Sequence, residues 1–393
     1  MSDPRPIPVL EIVGNAIVGG MEVCVSRLIE RLPAERFSVV CLCPFESGFT
    51  QKLREANAKV YIAPIGDHPQ WESLQFAATL VRRHRIRIIH AHLPNAHLLA
   101  GLVSALTGVP AFATVHGRGI APLDFEISRL TSTHLSVVCE SARVHALALG
   151  VEEDRIHLIP NGVDPEFYAI PDASCSLNAL LNIPPAAPIV GFVGRLAAEK
   201  GPDVFIRMAS FVHAEVPDAY FVLVGDGPLR ASLARLVAQL GLGSNVKFAG
   251  LQRGMRSIYQ SLALFVSASH SEGMPLALME AMACSRAAVA TQVGGVVDVV
   301  QEGTTGLLAR ANDPEHLGAG VISLLNDRPR REAMGRAAQQ RISSRFVLQR
   351  SVDETGALIT RLARAASHAA NVGVGTRSNV QMARIGAGAH AAD

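Results

Sequence analysis

A short apolar run followed by a helical pattern recurs along most of this chain, and the series occurs twice, once on each side of a proline-rich stretch. On the N-terminal side the runs fall at residues 9–13, 38–42, 60–62, 86–89 and 111–115, continued at 135–138 and 156–159. Helical patterns at 21–31 and 73–83 lie between them. Strands separated by helices need crossover connections, which implies a parallel sheet covered on both faces. A second series, at 189–193, 220–224, 246–249, 264–267 and 287–290, follows residues 171–188, where Pro171, Pro184, Pro185 and Pro188 stand among small and polar neighbours as in a linker. The expected architecture is α/β: two Rossmann-like, doubly wound domains facing a central cleft, residues 1–170 and 186–350. Ligands of such sheets sit beyond the C-terminal ends of the strands. A further helix is expected at about 351–366, with Leu358, Ile359, Leu362 and Ala365 on one side. Residues 367–393 hold few large apolar groups and read as a disordered tail.

Composition fits this plan and excludes several classes. A length of 393 residues suits two domains, and 49% hydrophobic residues can fill two cores. The net charge of +2 gives no global attraction to nucleic acid, so polyanion binding must be local. Six cysteines show no C-x-x-C spacing, and Cys41 and Cys43 read as buried strand thiols, the usage of a reducing, cytoplasmic protein. The N-terminus lacks a basic segment followed by an apolar one, so no signal peptide is expected. Residues 98–115 carry no charge, but Gly108-Val-Pro110 divides them into a helix and a strand rather than a membrane span.

Two motifs carry chemistry. Glu272 and Glu280 stand in His270-Ser-Glu-Gly-Met-Pro-Leu-Ala-Leu-Met-Glu280, between a strand and an apolar helix. A strand, a turn of small residues and a helix start aim free backbone N–H groups at one spot, and a carboxylate at each end can accept from hydroxyls. In Ile189-Val-Gly-Phe-Val-Gly-Arg195-Leu-Ala-Ala-Glu-Lys200-Gly, a strand ends at Gly194 and two cations follow. Arginine offers a planar fork and lysine a point charge to phosphate oxygens. Neither domain has G-x-G-x-x-G after its first strand, which disfavours a nicotinamide enzyme, and there is no D-x-D triplet for a metal-bound diphosphate.

From about residue 9 to about 350 the chain resembles glycosyltransferase family 4, retaining enzymes of the GT-B fold that use nucleotide sugars. The resemblance rests on Gly194-Arg195…Lys200-Gly201, Val224-Gly-Asp226-Gly227-Pro, Glu272-Gly-Met-Pro-Leu…Glu280-Ala-Met-Ala and Thr291-Gln-Val-Gly-Gly295, with Gly19-Gly20, Thr114-Val-His116-Gly and Pro160-Asn161-Gly nearer the start. It implies that Arg195 and Lys200 hold the diphosphate, helped by the amides at Gly19 and Gly20. Glu272, with the amides of Gly273, Met274, Pro275 and Leu276 as the surrounding segment, is implied to bind the donor sugar. Glu280 is implied to accept from the ribose or to serve behind the site. Asp226, Gly227 and Leu251 are implied to fall around the nucleoside, and Gly194, at the end of its strand, lets the backbone approach the donor closely. His116 is expected beside the donor sugar, donating to or positioning a hydroxyl. The resemblance further implies transfer of a hexose-type sugar to a glycan or lipid-linked acceptor without metal or other cofactor, and a last helix that packs back on the first domain.

Other features stay open at this level. His90-Ala-His92…His97 admits zinc chelation, an acceptor-side lining or a structural role, and no carboxylate stands near it in sequence. Arg82, Arg83, Arg85 and Arg87 form the one dense basic cluster, either a cationic helix end or a contact for anionic lipid on the inner face of a membrane. Cys284-Ser285-Arg286 replaces the Gly and Pro usual after the second glutamate's helix. An epimerase on the same fold, recognised by donor turnover without acceptor, and a non-catalytic partner subunit are the rival functions.

Overall fold

The computed structural model describes residues 6–17, 19–174 and 176–373, with side chains as far as 366. The first sheet holds β1 (Ile7–Val13), β2 (Phe37–Cys43), β3 (Lys59–Ile62), β4 (Ile88–His92), β5 (Ala111–Val115), β6 (His134–Val137) and β7 (Ile156–Leu158) in the order β3-β2-β1-β4-β5-β6-β7. All its pairings are parallel. The crossovers are α1 (Gly20–Arg31), α2 (Gly48–Glu55), α3 (Trp71–Arg83), α4 (Pro94–Thr107), α5 (Pro122–Thr131) and α6 (Glu140–Ala148). Two short helices, α7 (Pro165–Ala169) and α8 (Leu177–Leu181), lead onward.

The second sheet repeats the same doubly wound order, with β8 (Ile189–Val193), β9 (Tyr220–Val224), β10 (Val246–Gly250), β11 (Leu264–Ser267), β12 (Ala288–Thr291) and β13 (Gly306–Ala309) arranged β10-β9-β8-β11-β12-β13. Its helices are α9 (Pro202–Glu215), α10 (Arg230–Gln239), α11 (Met255–Gln260), α12 (Leu276–Ala283), α13 (Val296–Val299), α14 (Pro314–Asn326) and α15 (Arg328–Arg345). The long α16 (Leu348–Gly373) returns to the first sheet. This is the GT-B arrangement of two Rossmann-like units.

Alternation along the strands sorts the first sheet's faces. Leu10, Ile12, Ile89 and Ala91 point to one face, packed with Leu80, Leu99 and Val103. Val9, Ile88 and Phe112 point to the other, under Leu28 of α1 and Leu358, Ile359 and Leu362 of α16. Ala363 is buried in that seam and Ala365 is exposed, a shift of the apolar stripe from the expected set.

Sequence and structure differ at several boundaries. Strand β4 begins at Ile88 rather than 86 because Arg85 takes a left-handed turn (φ 51°), and it runs on through His90 and His92. Strand β13 lay in a glycine-rich stretch not read as a strand. The expected linker contains α8. Helix α7, counted with the first domain, packs on α12 and α15 of the second. Helix α16 continues to Gly373, and the remainder of the expected tail, 374–393, lies outside the described residues. Residues 98–115 divide as expected: Gly108 caps α4 in the left-handed conformation (φ 72°) and β5 follows. No helix among the described residues is long and apolar enough to cross a membrane.

Candidate active site

Strand order reverses between β8 and β11, and the loops after these two strands carry Arg195, Lys200 and Glu272. Arg195 follows β8; it is exposed, and its side chain has no hydrogen-bond or ion-pair partner among the described residues. Lys200 ends a short 3₁₀ turn, and its Nζ lies 2.7 and 2.8 Å from the two carboxylate oxygens of Glu272, in the loop after β11. Ser269 donates to the same carboxylate at 2.7 Å. Glu272 is only 8% exposed, so its charge needs these donors. Asp226 and Leu251 follow β9 and β10 and are exposed, and the Asp226 carboxylate accepts from the Gly227 amide at 2.7 Å.

Glycines set the approach of backbones here. A Cβ on Gly273 would overlap the carbonyl of His116, and one on Gly294 (φ 47°) would overlap the carbonyl of Glu272. Only glycine allows the loop of the second lobe to lie against the end of β5 in the first. Gly295 donates its N–H to the Gly273 carbonyl at 2.8 Å, fixing that loop. Helix α12 starts at Leu276 with Pro275 as N-cap, and its first-turn amides lack helical partners, which suits an anion.

Glu280 is buried on α12, and both its oxygens are occupied. Arg27 of α1 donates at 2.8 Å and the Tyr259 hydroxyl at 2.9 Å. The first of these bonds joins the two lobes. The pairing favours the reading of Glu280 as a group behind the site over a free ribose acceptor, and Arg27 was not found from sequence because α1 and α12 are distant along the chain. Gly19 is the N-cap of the same α1. Asn161 of the Pro-Asn-Gly motif donates to the Met274 carbonyl at 3.4 Å, a second bond between lobes.

The histidines separate into two groups. His97 on α4 pairs with Asp124 of α5 at 2.8 Å, within the first lobe's interior. His90 and His92 share the face of β4 that also carries Glu11 of β1, whose carboxylate accepts from His90 Nδ1 (2.9 Å) and His92 Nε2 (3.0 Å). Sequence spacing missed this carboxylate: it reaches the histidines only through the β1–β4 register, where Glu11 pairs with His90. Glu11, His90 and His92 are the one group among the described residues whose ligand atoms lie close enough together for a metal ion. The distances are equally those of hydrogen bonds that satisfy the carboxylate. Burial alone would raise the Glu11 pKa, but its interactions with His90 and His92 outweigh burial and hold it at about 2. Burial and then the neighbouring His90 push His92 down to about 4. His116 follows β5, with Nε2 3.0 Å from His92 Nδ1, and burial with His92 and His90 depresses its pKa well below the imidazole range.

Comparison with known proteins agrees with this fold. A profile described as Glycosyl transferases group 1 matches residues 178–341, and one described as Glycosyltransferase Family 4 matches residues 18–167. A D-inositol 3-phosphate glycosyltransferase of Nocardia farcinica is 31% identical over 75% of this chain, which spans 65% of that relative. An Escherichia coli UDP-Gal:alpha-D-GlcNAc-diphosphoundecaprenol alpha-1,3-galactosyltransferase is 24% identical over 86% of this chain and 92% of its own length. Among solved structures, Anabaena Alr3699/HepE in complex with UDP-glucose superposes with a TM-score of 0.78 at 18% identity, over 93% of this chain and 100% of the other.

Proposed function

The chain belongs to glycosyltransferase family 4, and we propose that it transfers a hexose-type sugar from a UDP-linked donor, with retention of configuration, to a lipid-linked or surface-polysaccharide precursor. The observation that carries the reading is the Lys200–Glu272 pair at the reversal of strand order, with Arg195 exposed in the loop after β8. Bond cleavage leaves negative charge on the departing diphosphate and positive charge on the sugar ring. Arg195, Lys200 and the α12 amides meet the first, preorganised rather than recruited from water. Glu272 accepts from sugar hydroxyls while Lys200 keeps its charge balanced.

Both candidate carboxylates are committed to protein donors, Glu272 to Lys200 and Ser269 and Glu280 to Arg27 and Tyr259. Neither is placed as a free nucleophile. This supports attack of the acceptor on the face the diphosphate leaves, with the leaving phosphate taking the acceptor's proton. Two cations at the phosphate position supply the charge that a metal would otherwise bring, so the reaction is proposed to run without one. UDP is preferred on the names of the E. coli relative and the Anabaena complex, and the diphosphoundecaprenol in the former's name supports a lipid-linked acceptor at the cytoplasmic face of a membrane.

Thermal unfolding with UDP, GDP and ADP and their sugars tests the donor, since a ligand that binds the native state raises its stability by mass action. UDP-sugars are expected to stabilise and the others not. Transfer to a polyprenyl-diphosphate sugar, with the product's anomeric configuration read by NMR, tests the rest. An inverted product, or donor turnover that needs no acceptor and yields an epimer, overturns the reading.

A further inference from the structure

The polar half of one sheet face runs from Glu11 through His92 to His116, each side chain handing a proton position to the next. Glu11 is ionised and can only accept, so His92 Nε2, 3.0 Å away, must carry a proton. A neutral His92 then has a bare Nδ1. That nitrogen lies 3.0 Å from His116 Nε2, which must therefore be the N–H of that pair. A neutral His116 is left with a bare Nδ1, which has no protein partner among the described residues. His90 reinforces the order from the side, donating to Glu11 and accepting from the Thr114 hydroxyl at 2.8 Å. Glu11 and His92 are 0% and 2% exposed, so water does not compete for these bonds.

We propose that Glu11 and His92 are positioning residues that fix the tautomer of His116, leaving its Nδ1 as a hydrogen-bond acceptor for a donor-sugar hydroxyl. Of the two parts the sequence left open for His116, donating to a hydroxyl or positioning one, this tautomer corresponds to positioning by acceptance. The carbonyl of His116 lies against Gly273, beside Glu272, which puts the histidine within the same cleft as the sugar-binding carboxylate. The two acceptors, Glu272 and His116, then select hydroxyls and give nothing to an ether or an acylated oxygen at either place. This rests on the glycosyl-transfer reading of the cleft, although the tautomer itself does not.

Nitrogen NMR of the ¹⁵N-histidine-labelled protein, with His116 assigned from the spectrum of H116N, tests the tautomer in the unliganded wild type. His116 is expected to be protonated at Nε2 and bare at Nδ1. A protonated Nδ1 would overturn the proposal, as would a metal ion between Glu11 and His92, which would remove the Nε2 proton of His92. Two variants separate positioning from packing. In His92→Asn the amide oxygen can take the place of Nδ1 and keep the acceptor; in His92→Leu no acceptor remains. The tautomer of His116 should persist in the first and become mixed in the second. With a UDP-sugar, His92→Leu should lose about 10-fold or more in kcat at unchanged UDP affinity, and His92→Asn should recover most of it. Equal behaviour of the two folded variants in both readouts would overturn the proposal. Were the transfer reading alone mistaken, the spectra would still hold and only the kinetic difference would vanish.

Discussion

Lys200 Nζ sits 2.7 Å from Glu272 Oε1 and 2.8 Å from Oε2, so the cation expected at the phosphate and the carboxylate expected at the sugar form one charge-balanced unit. Sequence motifs assign them separately. Their contact means that removal of one changes the electrostatics of the other.

Arg195 and Lys200 should therefore respond differently to alanine. Arg195→Ala removes an exposed side chain that has no partner among the described residues, so stability should hold while turnover falls roughly 100-fold or more. Lys200→Ala should lose at least as much turnover and also lower the midpoint of unfolding, because it leaves Glu272 buried with only Ser269. The cost should stay below about 3 kcal/mol, since Lys200 is 31% exposed and solvent replaces part of the pair. Kinetics beside chemical denaturation checks both; equal stability of the two variants would show that the ion pair has no structural part.

Chelation should leave activity intact. In the proposed mechanism Arg195, Lys200 and the α12 amides supply the positive potential at the diphosphate. Loss of turnover in chelator, restored by manganese or magnesium, would show that this potential is insufficient alone.

The buried network should make stability pH-dependent in two windows. His92 titrates at about 4 when folded, below its ordinary 6.5, so the unfolded chain takes up the proton first and stability falls as pH drops from 6.5 to about 4. Glu11 is held at about 2 against an ordinary 4.5, so its contribution is present above 4.5 and is lost as pH falls from there to about 2. Each window should be worth on the order of 3 kcal/mol. Denaturation curves across pH should show His92→Asn shrinking the upper window, to which the depressed His116 also contributes, and Glu11→Gln shrinking the lower.

What the sequence revealed and what it hid follow from range. The strand–helix alternation, the proline-rich crossing and the Arg195…Lys200 and Glu272…Glu280 spacings are local, and they gave two doubly wound sheets and the elements of the cleft. Glu11 beside His92 and Arg27 beside Glu280 depend on strand register and on contact between lobes, which no local pattern records. His90 and His92 looked like the residues after a strand because polar side chains rarely fill one. They belong to it because Glu11 satisfies them.

Ser285 offers a test of a departure from the family pattern. It stands after α12 with φ 58°, the left-handed position where glycine is common, and Arg286 closes the turn by donating to the Ala281 carbonyl at 3.0 Å. A side chain there costs about 1 kcal/mol, offset in part by the greater freedom of unfolded glycine. Ser285→Gly should raise stability by roughly 0.5 kcal/mol with kinetics unchanged. A lower unfolding midpoint would show that the serine hydroxyl has a part in the cap.

The basic cluster divides into two parts. Arg82, Arg83 and Arg85 are exposed at the end of α3, whereas the Arg87 guanidinium donates to the Ala363 carbonyl of α16 at 3.3 Å. We expect three arginines, not four, to meet anionic lipid. At roughly 1 kcal/mol each near a charged surface, replacing them together by glutamine should weaken binding to phosphatidylserine vesicles about 100-fold at low salt. Arg87→Gln should instead loosen α16 and lower the unfolding midpoint, with vesicle binding nearly kept. Raising salt should release the wild type, because the attraction fades beyond about 8 Å at physiological ionic strength. UDP affinity should not change in the triple variant, because the nucleotide motifs lie in the other lobe. If the wild type does not sediment with these vesicles at low salt, the three arginines serve only the C-terminal dipole of α3, and a soluble acceptor becomes the better expectation.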